Sequence, residues 1–237
     1  MESLQSHPRI ELFLVLAAMA AAAISPNLFV VAQAGYAKLS ILALTFLIPS
    51  LIAVALVLGI AMFLRLNGLR RQILTGILGG FLATAALEVI RETGYHLGGM
   101  PGDMPKLLGV LLLDRFALGP SWLSNLAGWG YHFWNGAAFG IIYSLTFSRT
   151  RWWAGLIYAL VIALIFMSSP AVVAMGVGRF GVEFGPGFAT TVLVAHMAYG
   201  AVLGWAASRY NVGTLNLWTR LRLVVKGELG VSSNQHA

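Results

Sequence analysis

The chain contains no cysteine. Its absence excludes disulfides, thiolate zinc sites, iron–sulfur clusters, thiol nucleophiles and the C-x-x-C-H attachment of a c-type haem. Charge is scarce as well. Only 10% of the 237 residues are Asp, Glu, Lys or Arg, and 59% are hydrophobic. Soluble domains carry about a quarter charged residues, so this composition cannot clothe a water-facing surface. Acids are scarcer than bases, 8 against 15, for a net charge of +7. The basic residues sit in short runs between apolar segments, which is the distribution of a polytopic membrane protein rather than of a nucleic-acid binder. There is no Gly-x-Ser-x-Gly elbow and no Walker sequence, so two common catalytic motifs are also missing.

What is present is long apolar runs, with a mean hydropathy of +0.82. Crossing the hydrocarbon core takes about 20 apolar residues. Six runs qualify, near residues 12–33, 40–64, 73–93, 125–147, 152–174 and 187–208. No strand-like alternation is seen, so the expected fold is all-α, a polytopic bundle of six transmembrane helices over residues 1–211. Ala32-Gln33-Ala34 resembles a signal-peptidase site, but the apolar run before it exceeds a signal core, so it reads as a retained helix. Pro26 and Pro49 are expected to kink the first two spans.

The basic residues orient the bundle. Arg9, Arg65, Arg70, Arg71, Arg149, Arg151, Arg209, Arg220, Arg222 and Lys226 fall on one side, while Lys38, Arg91, Lys106, Arg115 and Arg179 fall on or near the other. The positive-inside rule then predicts both termini in the cytoplasm of a bacterial inner membrane, N-in and C-in. Residues 212–237 are expected to form a cytoplasmic tail in which Leu215, Leu217, Trp218, Leu221 and Leu223 stand among Arg220, Arg222 and Lys226, an interfacial amphipathic pattern ending in a disorder-prone "GVSSNQHA". Between the third and fourth spans, "PKLLGVLLLDRF" predicts a short helix at the interface, Asp103 its cap or turn residue, and Asp114-Arg115 a surface pair.

Spans 3–4 and 5–6 read as two copies of one helical hairpin. Each begins at a basic turn and returns through His-x-x-x-Gly-x-x-x-Gly: His132, Gly136, Gly140, then His196, Gly200, Gly204. The two histidines are 64 residues apart, and the glycines are expected at close helix contacts. With "GGFLATAALE" and "GMPGDMPKLLG", these helices resemble bacterial families of small polytopic membrane proteins with no settled activity. The resemblance covers roughly the last two-thirds of the chain. It implies architecture and a bacterial setting, and transfers no mechanism.

The chemistry must lie with ionisable residues inside the spans, each expensive if unpaired. Glu88, Glu92 and His96 share a helix face by their i, i+4, i+8 spacing, provided that Gly94 does not end the helix. Two acids so close need a cation between them, whether Arg91, a protonated histidine or a metal. His132 and His196 are expected at the same depth, with Tyr131, Asn135 and Tyr199 as supporting donors. Three readings are open: coordination of a metal ion or haem b by Glu88, Glu92, His132 and His196; helix-packing contacts in an accessory or assembly subunit of a larger complex or homo-oligomer; or a relay for a proton or small solute. The expected partner in every case is the lipid bilayer, with no nucleic acid.

Overall fold

A computed structural model describes residues 8–233, with side chains described to residue 226. The described residues are helical and contain no strand. In order they form α1 (Pro8–Gln33), α2 (Leu39–Phe63), α3 (Asn67–His96), α4 (Met104–Leu112), α5 (Trp122–Phe147), α6 (Trp153–Ser168), α7 (Pro170–Ala174), α8 (Pro186–Tyr210) and α9 (Leu217–Ser233). Four are long and apolar enough to cross a membrane: α1, α2, α3 and α8. The other two expected spans fall on α5 and α6. At 26 residues α5 is long enough, but Asn125, His132 and Asn135 make it more polar. α6 is apolar and has only 16 residues, because Ser169 takes an extended conformation ahead of Pro170.

Two proline expectations resolve differently. α1 runs unbroken through Pro26. In α2 a π-helical turn, Ala43–Leu47, precedes Pro49. The proline ring would collide with the carbonyl four residues back, and a widened turn relieves that collision. Ser50 Oγ then donates to the Leu47 carbonyl at 2.8 Å.

α3 is the central element, packed along both α5 and α8, while α6 packs on α8. Glycines set these approaches. A Cβ at Gly76 or Gly80 would run into the backbone of Gly140–Ile141 or Gly136–Ala137, and one at Gly155 would meet Gly200 and Gly204. Helices joined at such seams can bring their backbones close, which larger side chains forbid. α4 is docked rather than laid on a surface, since Gly109 meets Ser124 and Gly128 of α5. The remaining face of α5 receives α1, which packs in turn on α2.

The tail is also docked. Arg220, 2% exposed in its side chain, reaches Glu11 Oε1 of α1 at 3.0 Å and Gln72 Oε1 of α3 at 2.7 Å. It also donates to the Leu215 carbonyl. Burial pushes this guanidinium's pKa down while Glu11 pulls it up, and the net direction is down. α9 continues through Gly230 to Ser233, which the sequence reads as a disordered end, and residues 234–237 lie outside the described ones.

Candidate functional site

The site is built on the last third of α3. Glu88 and Arg91, one helical turn apart, face the interior with side chains 8% and 5% exposed. Arg91 Nε donates to both carboxylate oxygens of Glu88, at 2.8 and 2.9 Å. Its Nη2 lies 2.8 Å from Glu88 Oε2 and 2.9 Å from Glu92 Oε2. The cation between the two acids is therefore Arg91. From α5, His132 Nε2 donates to Glu88 Oε1 at 2.8 Å, with the ring of Trp129 edge-on beside it. His132 and Arg91 thus share one carboxylate.

α3 does not stop at Gly94. Its small size serves a tight approach, because a Cβ there would collide with Thr191 of α8. The helix persists to His96, whose Nε2 lies 3.3 Å from Glu92 Oε1. Glu92 is 43% exposed and His96 73%, so this pair sits at the rim. Asp103 caps α4 by accepting from the Lys106 amide. Its side chain lies 3.0 Å from Lys106 Nζ and 3.8 Å from Arg91 Nη2, extending the charged cluster across the loop. The Asp103 hydrogen bond raises the pKa of the Lys106 ammonium. Asp114 pairs with Lys38 at 2.7 Å rather than with its neighbour Arg115, which donates to the Gly119 carbonyl.

His196 stands on α8 with its Nδ1–H donating to the Val192 carbonyl at 2.8 Å and its ring stacked on Phe166. Both histidines line one cavity of about 420 Å³, within the usual range for small-molecule pockets. Its walls are mostly apolar, from Pro26 and Val30 of α1, Phe139 and Ile142 of α5, and Ile162 and Phe166 of α6. α1 and α6 scarcely pack on each other, and the cavity lies between them. Arg91 and Ser169 also line it, and each keeps a buried polar atom without a hydrogen-bond partner, Arg91 Nη1 and Ser169 Oγ.

The structure therefore brings Arg91, His132 and His196 to one cavity, with Glu88 as the acceptor shared by Arg91 and His132, and leaves Glu92 with His96 more exposed on α3. The expected supporting donors are committed to backbone and α1. Tyr131 donates to the Ser25 carbonyl and Tyr199 to the Gly136 carbonyl, each at 2.7 Å, while Asn135 accepts from Ser25 Oγ. Among the described residues no group of three or more His, Asp and Glu is arranged to hold a metal ion. The reason is local: Arg91 and His132 already occupy both oxygens of Glu88. Two features of the site escape a reading of the sequence. The cavity wall from α1 has no ionisable residue to flag it, only Asn27 among apolar neighbours, and Ser169 stands just before Pro170 at the end of an apolar helix.

Comparison with protein families, curated proteins and solved structures finds no match. The fold and the apolar surface define the class. This is a multi-pass α-helical membrane protein.

Proposed function

We propose that this chain is a multi-pass protein of the bacterial inner membrane that binds a lipophilic cofactor in the cavity between α1, α5, α6 and α8, haem b first among the candidates. One observation carries the reading. His132 and His196 line the same apolar cavity, and each has one ring nitrogen committed to a protein acceptor. That arrangement fixes the orientation of an imidazole and leaves its other nitrogen for a ligand. The donor set fits haem: two imidazoles for the iron, apolar walls for the ring, and Arg91 Nη1 to receive a carboxylate oxygen. Haem iron would supply one-electron or gas-binding chemistry. The chain's own residues hold the imidazoles, with Glu88 as acceptor for His132. A bare metal ion has less support, because Glu88 has no oxygen to spare.

In this reading α5 and α6 also cross the membrane, giving six spans with both termini in the cytoplasm. His132 and His196, each ten residues into its helix, then share a slab in the outer half of the bilayer. The hairpins α3–α5 and α6–α8 are proposed copies of one unit. The paired glycines support this, as does the position of each histidine four residues before the first of them.

The test is an absorption spectrum and metal analysis of detergent-purified protein from a haem-replete culture. A Soret band that shifts on reduction, and that is lost in both His132→Ala and His196→Ala, is expected. A colourless, metal-free protein overturns the reading. It would favour a non-catalytic accessory or assembly role, for which the mutual charge pairing of Glu88, Arg91 and His132 is the supporting observation.

A further inference from the structure

At the opposite end of the bundle from the histidines, the turn joining α5 to α6 reads Ser148-Arg149-Thr150-Arg151-Trp152. The turn is held at two points. Ser148, at φ 57°, bonds Thr214 through its Oγ, at 2.9 Å to the carbonyl and 2.6 Å to Oγ1. Thr150 Oγ1 shares a hydrogen bond of 2.7 Å with Tyr143 OH. Between and beside these anchors stand Arg149 and Arg151, both exposed and without an acid partner among the described residues. With Thr150, Trp153, Ala154 and Ser208 they line a recess. The acid of this end whose side chain is described, Glu11, is already taken by Arg220. The recess is thus a concentration of positive charge with two hydroxyl-bearing walls and, among the described residues, no internal counter-ion.

Its surroundings narrow the occupant. Trp152, Trp153 and Trp205 stand around it, each about half exposed, as aromatic residues do at the headgroup level of a bilayer. From Trp153 an exposed apolar stripe runs down α6 through Ile157, Val161 and Leu164, at the spacing of a single helix face. Charge at the top and a lipid-facing stripe below match a molecule with an anionic head and acyl chains. A soluble phosphate would not use the stripe, and a protein partner of the stripe alone would not need the two arginines.

We propose that this recess seats the phosphate of an anionic phospholipid, with Arg149 and Arg151 as the charged ligands, Ser208 and Thr150 as hydroxyl neighbours, and the acyl chains along α6. Basic pockets between helices bind lipid headgroups by this combination of charge and aromatic flanks. The site is independent of the histidine cavity.

The test uses the full chain in nanodiscs containing phosphatidylglycerol mixed with phosphatidylcholine, followed by native mass spectrometry of the released protein. Arg149→Gln/Arg151→Gln is compared with Arg65→Gln/Arg70→Gln, which removes the same charge from the neighbouring turn. Both changes fall on exposed side chains, and thermal unfolding checks that each variant is folded. The wild type should retain phosphatidylglycerol over phosphatidylcholine. The first variant should lose that retention by roughly thirtyfold, and the control should stay within about twofold of wild type. Equal losses in the two variants, or no loss in the first, overturn the site. Competition by glycerol phosphate or inorganic phosphate as strong as that by the lipid would overturn the lipid as occupant.

Discussion

At the scale of single residues, the interior of this protein turns on one guanidinium. Arg91 holds Glu88 through both oxygens, and a buried pair of this kind is worth more as a unit than either half alone. Glu88→Gln leaves Arg91 buried with less compensating charge, and Arg91→Gln leaves two acids facing each other. Each single change should destabilise the protein by about 3–5 kcal/mol, read as thermal unfolding in detergent. The double change should cost less than the two singles together, because it leaves no orphaned charge. Strict additivity would show that the pair is not coupled. The acids and Arg91 were legible from spacing alone, since an ionisable residue in an apolar run must find a partner. The sharing of Glu88 with His132 was not, because it needs the register between α3 and α5. Nor could the unused Nη1 of Arg91 be seen, since it reflects what its neighbours leave unsatisfied.

Among the elements, small residues decide which helices meet. Val at Gly80 would press on Gly136 and Ala137, and Val at Gly155 on Gly200 and Gly204. Overpacking of this kind costs about 1–3 kcal/mol. Both variants should lose stability to a similar degree, while Gly59→Val, where nothing lies within reach of an added Cβ, should be neutral. Thermal unfolding of the three proteins checks this. The two glycine seams differ further along. Gly80 is followed eight residues on by Glu88, which His132 contacts, and Ala159 is followed eight residues on by Met167, which is buried. Helices were legible here because apolar length is written directly in composition. The runs at 125–147 and 152–174 read as spans in the sequence, yet α5 and α6 fall outside the four helices long and apolar enough to cross, since polar residues lower the hydropathy of α5 and Ser169-Pro170 shortens α6.

For the whole molecule, the contact between Arg220 and Glu11 joins two residues 209 positions apart and ties α9 to the bundle. Arg220→Ala should release α9 from α1, α3 and the connector before it. Amides of α9 should then exchange with solvent faster than in the wild type, and a protease should cut there first. Unchanged protection would mean that α9 is held by its apolar face alone. The sequence separates the tail from the bundle at residue 211, because composition changes there. It gives no sign that the tail folds back, since one arginine among several is chosen by geometry. The same contact has a consequence for biosynthesis. Glu11 is synthesised 209 residues before its partner. Over that interval α1 inserts and packs without the guanidinium that will bind it to the tail. Synthesis of α9, rather than insertion of α1, is the event that closes this contact.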